Sequence, residues 1–160
     1  MSLQTGDKLP QATFMQMGPD GPAPVTTDDV FKGAKVAFFA VPGAYTPTCS
    51  AKHLPGFKVQ ADALRAKGVD KIACTSVNDV FVMDAWGKSQ DAGDDILMLA
   101  DGNGDFAKAI GLELDASGFG MGSRSQRYAM VVNDGTVEQL FVEEGGEFKV
   151  SSADYMLDNL

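Results

Sequence analysis

The sequence predicts one α/β domain, 1–160, built on a mixed central sheet flanked by helices, and three observations carry this. Short apolar runs rich in β-forming residues recur at 35–41 (KVAFFAV), 71–77 (KIACTSV) and 96–100 (ILMLA), as strands buried on both faces do. Segments with helix start and stop residues separate them. A last pair of β-rich runs, RYAMVVN and TVEQLFVE, is divided by Asp134-Gly135, a tight-turn dipeptide. A chain of 160 residues is long enough to bury a real core.

Taken in order, ATFMQM (12–17) reads as an edge strand followed by the turn-rich GPDGPAP. Thr27 is placed to cap a short helix over DDVFKG, with acids in its first turn and Gly33 at its end. The strand 35–41 leads through PGAY to a strong helix start, with Thr46 as cap and Pro47 at the first helical position, where a missing N–H costs nothing. That helix is expected to run to about Lys67, kinked near Pro55, with Gly68 beyond its end. After strand 71–77, NDVFVMDAWGKS is a loop entering an amphipathic helix. Strand 96–100 stops at DGNG, and DFAKAIGLEL is a short helix with Gly111 near its end. The hairpin follows, and Ser152 caps a final helix, ADYMLDNL. Alternating strands and helices imply a largely parallel sheet, to which the hairpin adds antiparallel strands. Sites in such sheets lie at the carboxyl ends of strands.

Composition excludes several classes. Thirteen basic against 22 acidic residues give a net charge of −9, which argues against binding nucleic acid or an anionic membrane. No apolar run is long enough for a bilayer span. MSLQTGDKLP lacks the segments of a signal peptide. Two cysteines do not make a disulfide framework, and the expected compartment is a reducing, cytoplasmic one.

Cys49 stands third in the helix that Thr46 and Pro47 begin. Unpaired backbone N–H groups and the positive end of the helix dipole favour a charged sulfur there, so the placement predicts an activated nucleophile. Cys74 lies inside an apolar strand, which blocks access and marks it as structural. His53, four residues after Cys49, would share its face on a straight helix. A Cys–His acyl-transfer site, or a metal site using Cys49, His53 and Cys74, can be drawn from that spacing. No orienting acid and no closed zinc spacing support either, and a structural or pocket-edge role for His53 is favoured.

Pro42, Thr46 and Cys49 form P-x3-T-x2-C within VPGAYTPTCSAKHLPGF. Here the sequence resembles the peroxiredoxin family, and within it the type II, peroxiredoxin-five-like group. TSVNDVFVMDAWGK, FAKAIGLELD and RSQRYAMVVNDG follow that group's pattern in the same order; Tyr45 stands where phenylalanine is common. The resemblance implies a thioredoxin-like fold and a thiol peroxidase for hydrogen peroxide and alkyl hydroperoxides. It casts Cys49 as the peroxidatic nucleophile that becomes a sulfenic acid, Thr46 as a hydroxyl donor to the peroxide, and Pro42 as a shield over the thiolate. Arg127 becomes the cation steadying thiolate and peroxide, which accords with its charge; Arg124 reads as a surface or loop charge.

Some members of the group carry a resolving cysteine near the carboxyl terminus. This chain has serines there, and Cys74 is a poor candidate. A one-cysteine cycle is therefore expected, recycled by glutathione and glutaredoxin, with thioredoxin second and no metal, haem or flavin. The resemblance also implies a homodimer, for which ASGFGMGSRSQ (116–126), with Phe119 and Met121, is a candidate contact. Its glycines do not follow the phosphate-loop pattern. A peroxide sensor using the same cysteine is the alternative reading. Pro42, Thr46 and Arg127 together favour turnover, because sensing needs fewer of them.

Overall fold

The structure, a computed structural model, describes residues 2–160. Nine strands form it: β1 (Thr13–Gly18), β2 (Gly21–Thr26), β3 (Lys35–Ala40), β4 (Lys71–Ser76), β5 (Leu97–Ala100), β6 (Glu113–Asp115), β7 (Ser123–Ser125), β8 (Tyr128–Asn133) and β9 (Thr136–Val142). Seven of them make one sheet in the order β2-β1-β5-β4-β3-β8-β9, and β6 pairs with β7 apart from it. Only β3, β4 and β5 run parallel; every other pairing is antiparallel. The sheet is thus mixed, and less parallel than the alternation of elements suggests. A hairpin stands at each end of it.

The first hairpin was hidden by its prolines. GPAPVT forms β2, the true edge strand, and β1 lies inside it. Pro22 and Pro24 share one parity, so residues 21, 23 and 25 remain free to donate to β1 while the missing N–H groups face the open edge. The second hairpin turns at Asp134 and Gly135, both at positive φ (50° and 79°), the geometry its sequence demands.

Central strands alternate between two cores. Val36, Phe38 and Ala40 face one side with Phe14, Phe31, Phe106 and Tyr128; Ala37, Phe39 and Val41 face the other with Cys49, Phe57, Met83 and Trp86. Helices α1 (Thr27–Phe31) and α5 (Asp105–Ala109) bury residues in the first core. The second takes α2 (Leu54–Val59), α3 (Ala61–Ala66), α4 (Val80–Ser89) and α6 (Ala153–Asp158). Thr26, not Thr27, caps α1. The acid three residues on must reach back to the cap, and Asp29 satisfies Thr26 in a reciprocal capping box. Asp79 and Ser152 cap α4 and α6 through their side chains.

The long helix expected from Pro47 to Lys67 is broken. Cys49–His53 is a π-helical turn, in which the Leu54 N–H reaches back five residues to the Cys49 carbonyl. The wider turn directly precedes Pro55, whose ring would clash with the carbonyl four residues earlier in a regular helix. A second interruption at Gln60 separates α2 from α3.

Phe38 is the hub of the first core, its ring 5.4–6.3 Å from those of Phe31, Phe106, Phe14 and Tyr128. Phe38→Ala should cost about 3–5 kcal/mol of stability in denaturant unfolding, the usual range for emptying such a site.

Candidate active site

The site forms where β3 delivers its chain to the π turn. Val41 donates its N–H to the Thr75 carbonyl (3.1 Å), tying the loop to β4. Ala44 donates to Asn78 Oδ1 (2.9 Å), and Tyr45 holds a left-handed φ of 67°, uncommon for a residue with a side chain. The helix opens at Pro47, and Ser50 N–H donates to the Thr46 carbonyl (2.9 Å). Thr46 therefore occupies the cap position that the sequence predicts. Its hydroxyl is turned elsewhere.

Thr46 Oγ1 lies 2.7 Å from Cys49 Sγ and 2.7 Å from the Gly43 carbonyl. A hydroxyl has one proton, so it donates to sulfur or to carbonyl at any moment. Arg127 enters from the residue before β8 and points Nη2 at the same sulfur, 3.0 Å away. Cys49 is fully buried between these donors. Two donors converging on one buried sulfur suit an anionic sulfur better than a neutral one. Pro42 lies half-buried in the same loop, beside Gly43.

The sequence matches the Redoxin family over residues 4–157, and is 52% identical to Peroxiredoxin-2E-2, chloroplastic, of Oryza sativa subsp. japonica over 99% of this chain and 73% of that one. The chain belongs to the peroxiredoxins. It is 44% identical to the hybrid peroxiredoxin hyPrx5 of Haemophilus influenzae, over 100% of this chain and 67% of that one. Among solved structures, reduced Prx3 of Vibrio vulnificus in complex with H2O2 superposes with a TM-score of 0.94 at 53% identity, covering 98% of each chain. Peroxiredoxin 5 of Alvinella pompejana does so with 0.83 at 35%, covering 97% of this chain and 96% of its own. The type II, peroxiredoxin-five-like resemblance and the thioredoxin-like fold stand, and with them a peroxidase that draws on thiol reductants.

In this peroxiredoxin His53 does not face the cysteine as a base. Arg127 Nη1 donates to His53 Nδ1 (2.9 Å), and His53 Nε2–H donates to the Ser151 carbonyl (2.9 Å). A guanidinium cannot accept and a carbonyl cannot donate, so both partners demand the same tautomer. With its lone pair committed to Arg127, His53 has nothing to offer the Cys49 thiol. The Cys–His acyl-transfer arrangement is absent. Burial, then the adjacent Arg127 charge, lowers the His53 pKa to about 3. Phe148 completes this wall, 5.9 Å from the Arg127 guanidinium carbon and 5.0 Å from the His53 ring, centroid to centroid.

Cys74 is fully buried in β4, and burial raises its thiol pKa well above the ordinary value. Arg124 is more than a surface charge. It is half-buried and donates to the Met121 and Val77 carbonyls (2.9 and 3.1 Å). A Cβ on Gly43 would meet Thr46 Cγ2 at 3.1 Å, Met121 Cε at 3.2 Å and Arg124 Nη1 at 3.5 Å. Gly43 thus lets segment 121–124 close over the cysteine loop. Among the described residues, no three His, Cys, Asp or Glu side chains gather as a metal site. Sequence reasoning missed Phe148 and Ser151, and gave His53 no partner, because nothing local marks a carbonyl 98 residues away as its acceptor.

His53 is the sole histidine, so its ring can be followed unambiguously by NMR and should not titrate between about pH 8 and about pH 5. Its pKa falls from 6.5 to about 3 on folding, so the unfolded chain binds more protons between those values. Stability should decline as the pH drops below about 6.5, and His53→Gln should flatten that dependence.

Proposed function

We propose that this peroxiredoxin reduces hydrogen peroxide and small alkyl hydroperoxides by a one-cysteine cycle at Cys49. The observation that supports it most directly is the pair of donors, Thr46 Oγ1 and Arg127 Nη2, at 2.7 and 3.0 Å from one sulfur. The Cys49 thiolate attacks one peroxide oxygen, an S–O bond forms, and the O–O bond breaks. Water or an alcohol leaves once protonated, and the sulfur, oxidised by two electrons, is left as a sulfenic acid. Arg127 steadies the charge on sulfur and then on the departing oxygen. Thr46 moves its hydrogen bond from sulfur or carbonyl to the peroxide, and Pro42 shields the sulfur from water.

A glutathione thiol then displaces water from the sulfenic sulfur, giving a mixed disulfide. A second thiol, delivered by glutaredoxin, releases Cys49; thioredoxin is the second choice of reductant. Support for the one-cysteine scheme comes from the burial of Cys74 and from KVSSADYMLDNL, which offers serines and no cysteine in the carboxyl-terminal region where some members of the group carry a resolving one. A reducing cytoplasm suits such a cycle. The working form is a homodimer joined through segment 116–126, where Phe119 is 86% exposed.

Turnover is tested by following NADPH loss with peroxide, glutathione, glutaredoxin and glutathione reductase. Cys49→Ser should abolish it, and Cys74→Ser should leave it unchanged. Thr46→Val or Arg127→Ala should slow oxidation of Cys49 roughly 10²- to 10³-fold, the scale for losing one aimed donor. Oxidation of Cys49 without NADPH loss, with thioredoxin and its reductase as well, would instead favour a peroxide sensor. Phe119→Glu should shift the sedimenting species towards monomer.

A further inference from the structure

Arg127 is held in place by a chain of contacts that ends at a buried carboxylate. Glu143 directly follows β9, and its N–H donates to the Arg127 carbonyl (3.0 Å), so the two residues sit side by side. Its Oε2 accepts three hydrogen bonds, from Lys149 N–H (2.7 Å), Ser151 N–H (2.8 Å) and Ser151 Oγ–H (2.6 Å). These fold segment 143–151 back over the start of β8. The Ser151 carbonyl is thereby presented to His53 Nε2–H, and Phe148 is set against both His53 and the Arg127 guanidinium. His53 then takes the Nη1 side of the Arg127 fork, which leaves Nη2 for sulfur.

We infer that Glu143 is a positioning residue for the peroxidase reaction, acting through Ser151 and His53 to aim Arg127 at Cys49. This rests on the proposed role of Arg127 at the peroxide. Burial alone would raise the Glu143 pKa; the Ser151 and Lys149 donors outweigh it and hold the carboxyl below its ordinary value. The carboxylate is therefore kept charged, and hydrogen bonds to a charged acceptor are about twice as strong as neutral ones. A flexible arginine has many rotamers, and an error of about 1 Å in a catalytic group can cost on the order of a hundredfold in rate. No residue touching the sulfur fixes the far side of the guanidinium. His53 does, and Glu143 fixes what holds His53.

The test uses Glu143→Ala and the near-isosteric Glu143→Gln in the full chain, with two readouts. The 15N shifts of the single histidine report its tautomer, and stopped-flow oxidation by hydrogen peroxide reports the reaction of Cys49. Glu143→Ala should move His53 from one Nε2–H tautomer to a mixture and slow Cys49 oxidation roughly tenfold to a hundredfold, while the chain still unfolds cooperatively. Glu143→Gln, which keeps the shape but loses the charge, should fall between. It decides the matter alone if the alanine chain does not fold. An unchanged tautomer in a folded variant overturns the proposal, and so does a changed tautomer with an unchanged rate. Arg127→Ala, measured alongside, separates the two ideas. If it too keeps the full rate, the role given to Arg127 has failed, whereas a slow Arg127→Ala beside a fast Glu143→Ala refutes only the positioning chain.

Discussion

A sulfur that is to be negatively charged while fully buried must be met by donors, because an unpaired charge away from water is strongly unfavourable. Here that need is met from two ends of the sequence at once. Thr46 reaches Cys49 from within the same turn, and Arg127 reaches it across 78 residues. The antiparallel pairing of β3 with β8 makes the second possible. Ala40 lies opposite Tyr128 in that ladder, so Arg127, one residue earlier, emerges where β3 gives way to the cysteine loop.

The same constraint explains the distortions around the site. Tyr45 keeps a left-handed backbone so that the chain can turn from β3 into the helix within a few residues. Gly43 has no Cβ because Met121 and Arg124 close over it. The π turn at Cys49–His53 rotates the following residues relative to a regular helix, and His53 meets Arg127 and not the sulfur. These local costs sit at one place, and the regular cores on both faces of the sheet offset them.

How far the sequence could be read follows from the range of each interaction. Thr46, Pro47 and Cys49 belong to one helix start, so their chemistry shows in four consecutive residues. Arg127 was legible only through its resemblance to a known pattern, since a strand-start arginine carries no signal of its own. Expectations failed where a local rule had a close rival. Thr26 and Thr27 are equal as caps until Asp29 is seen to reach back. Pro22 and Pro24 look like turn residues until their shared parity on an edge is known. A single long helix looked continuous because π turns have no composition of their own. Glu143 was invisible for a deeper reason. Its three donors come from a segment that means nothing until it folds over β8.

The commitments of each polar group also say what kind of catalysis the pocket can perform. A general base for Cys49 would need a free lone pair near the sulfur. His53 Nδ1 spends its own on Arg127, a guanidinium has none to give, and the Glu143 carboxylate is turned to Ser151 and Lys149, with no contact to the sulfur. Only the Thr46 hydroxyl can change partner, between the Gly43 carbonyl and the sulfur, and a peroxide oxygen entering the pocket is a third acceptor for the same proton. The proposed chemistry therefore depends on where charge is placed more than on proton transfer by a side chain. A fixed cation and one switchable hydroxyl favour the thiolate before attack and the oxygen anion after it. This is also why the histidine must stay neutral. A proton on Nδ1 would set two donors against each other and turn the Arg127 fork away from the sulfur it serves.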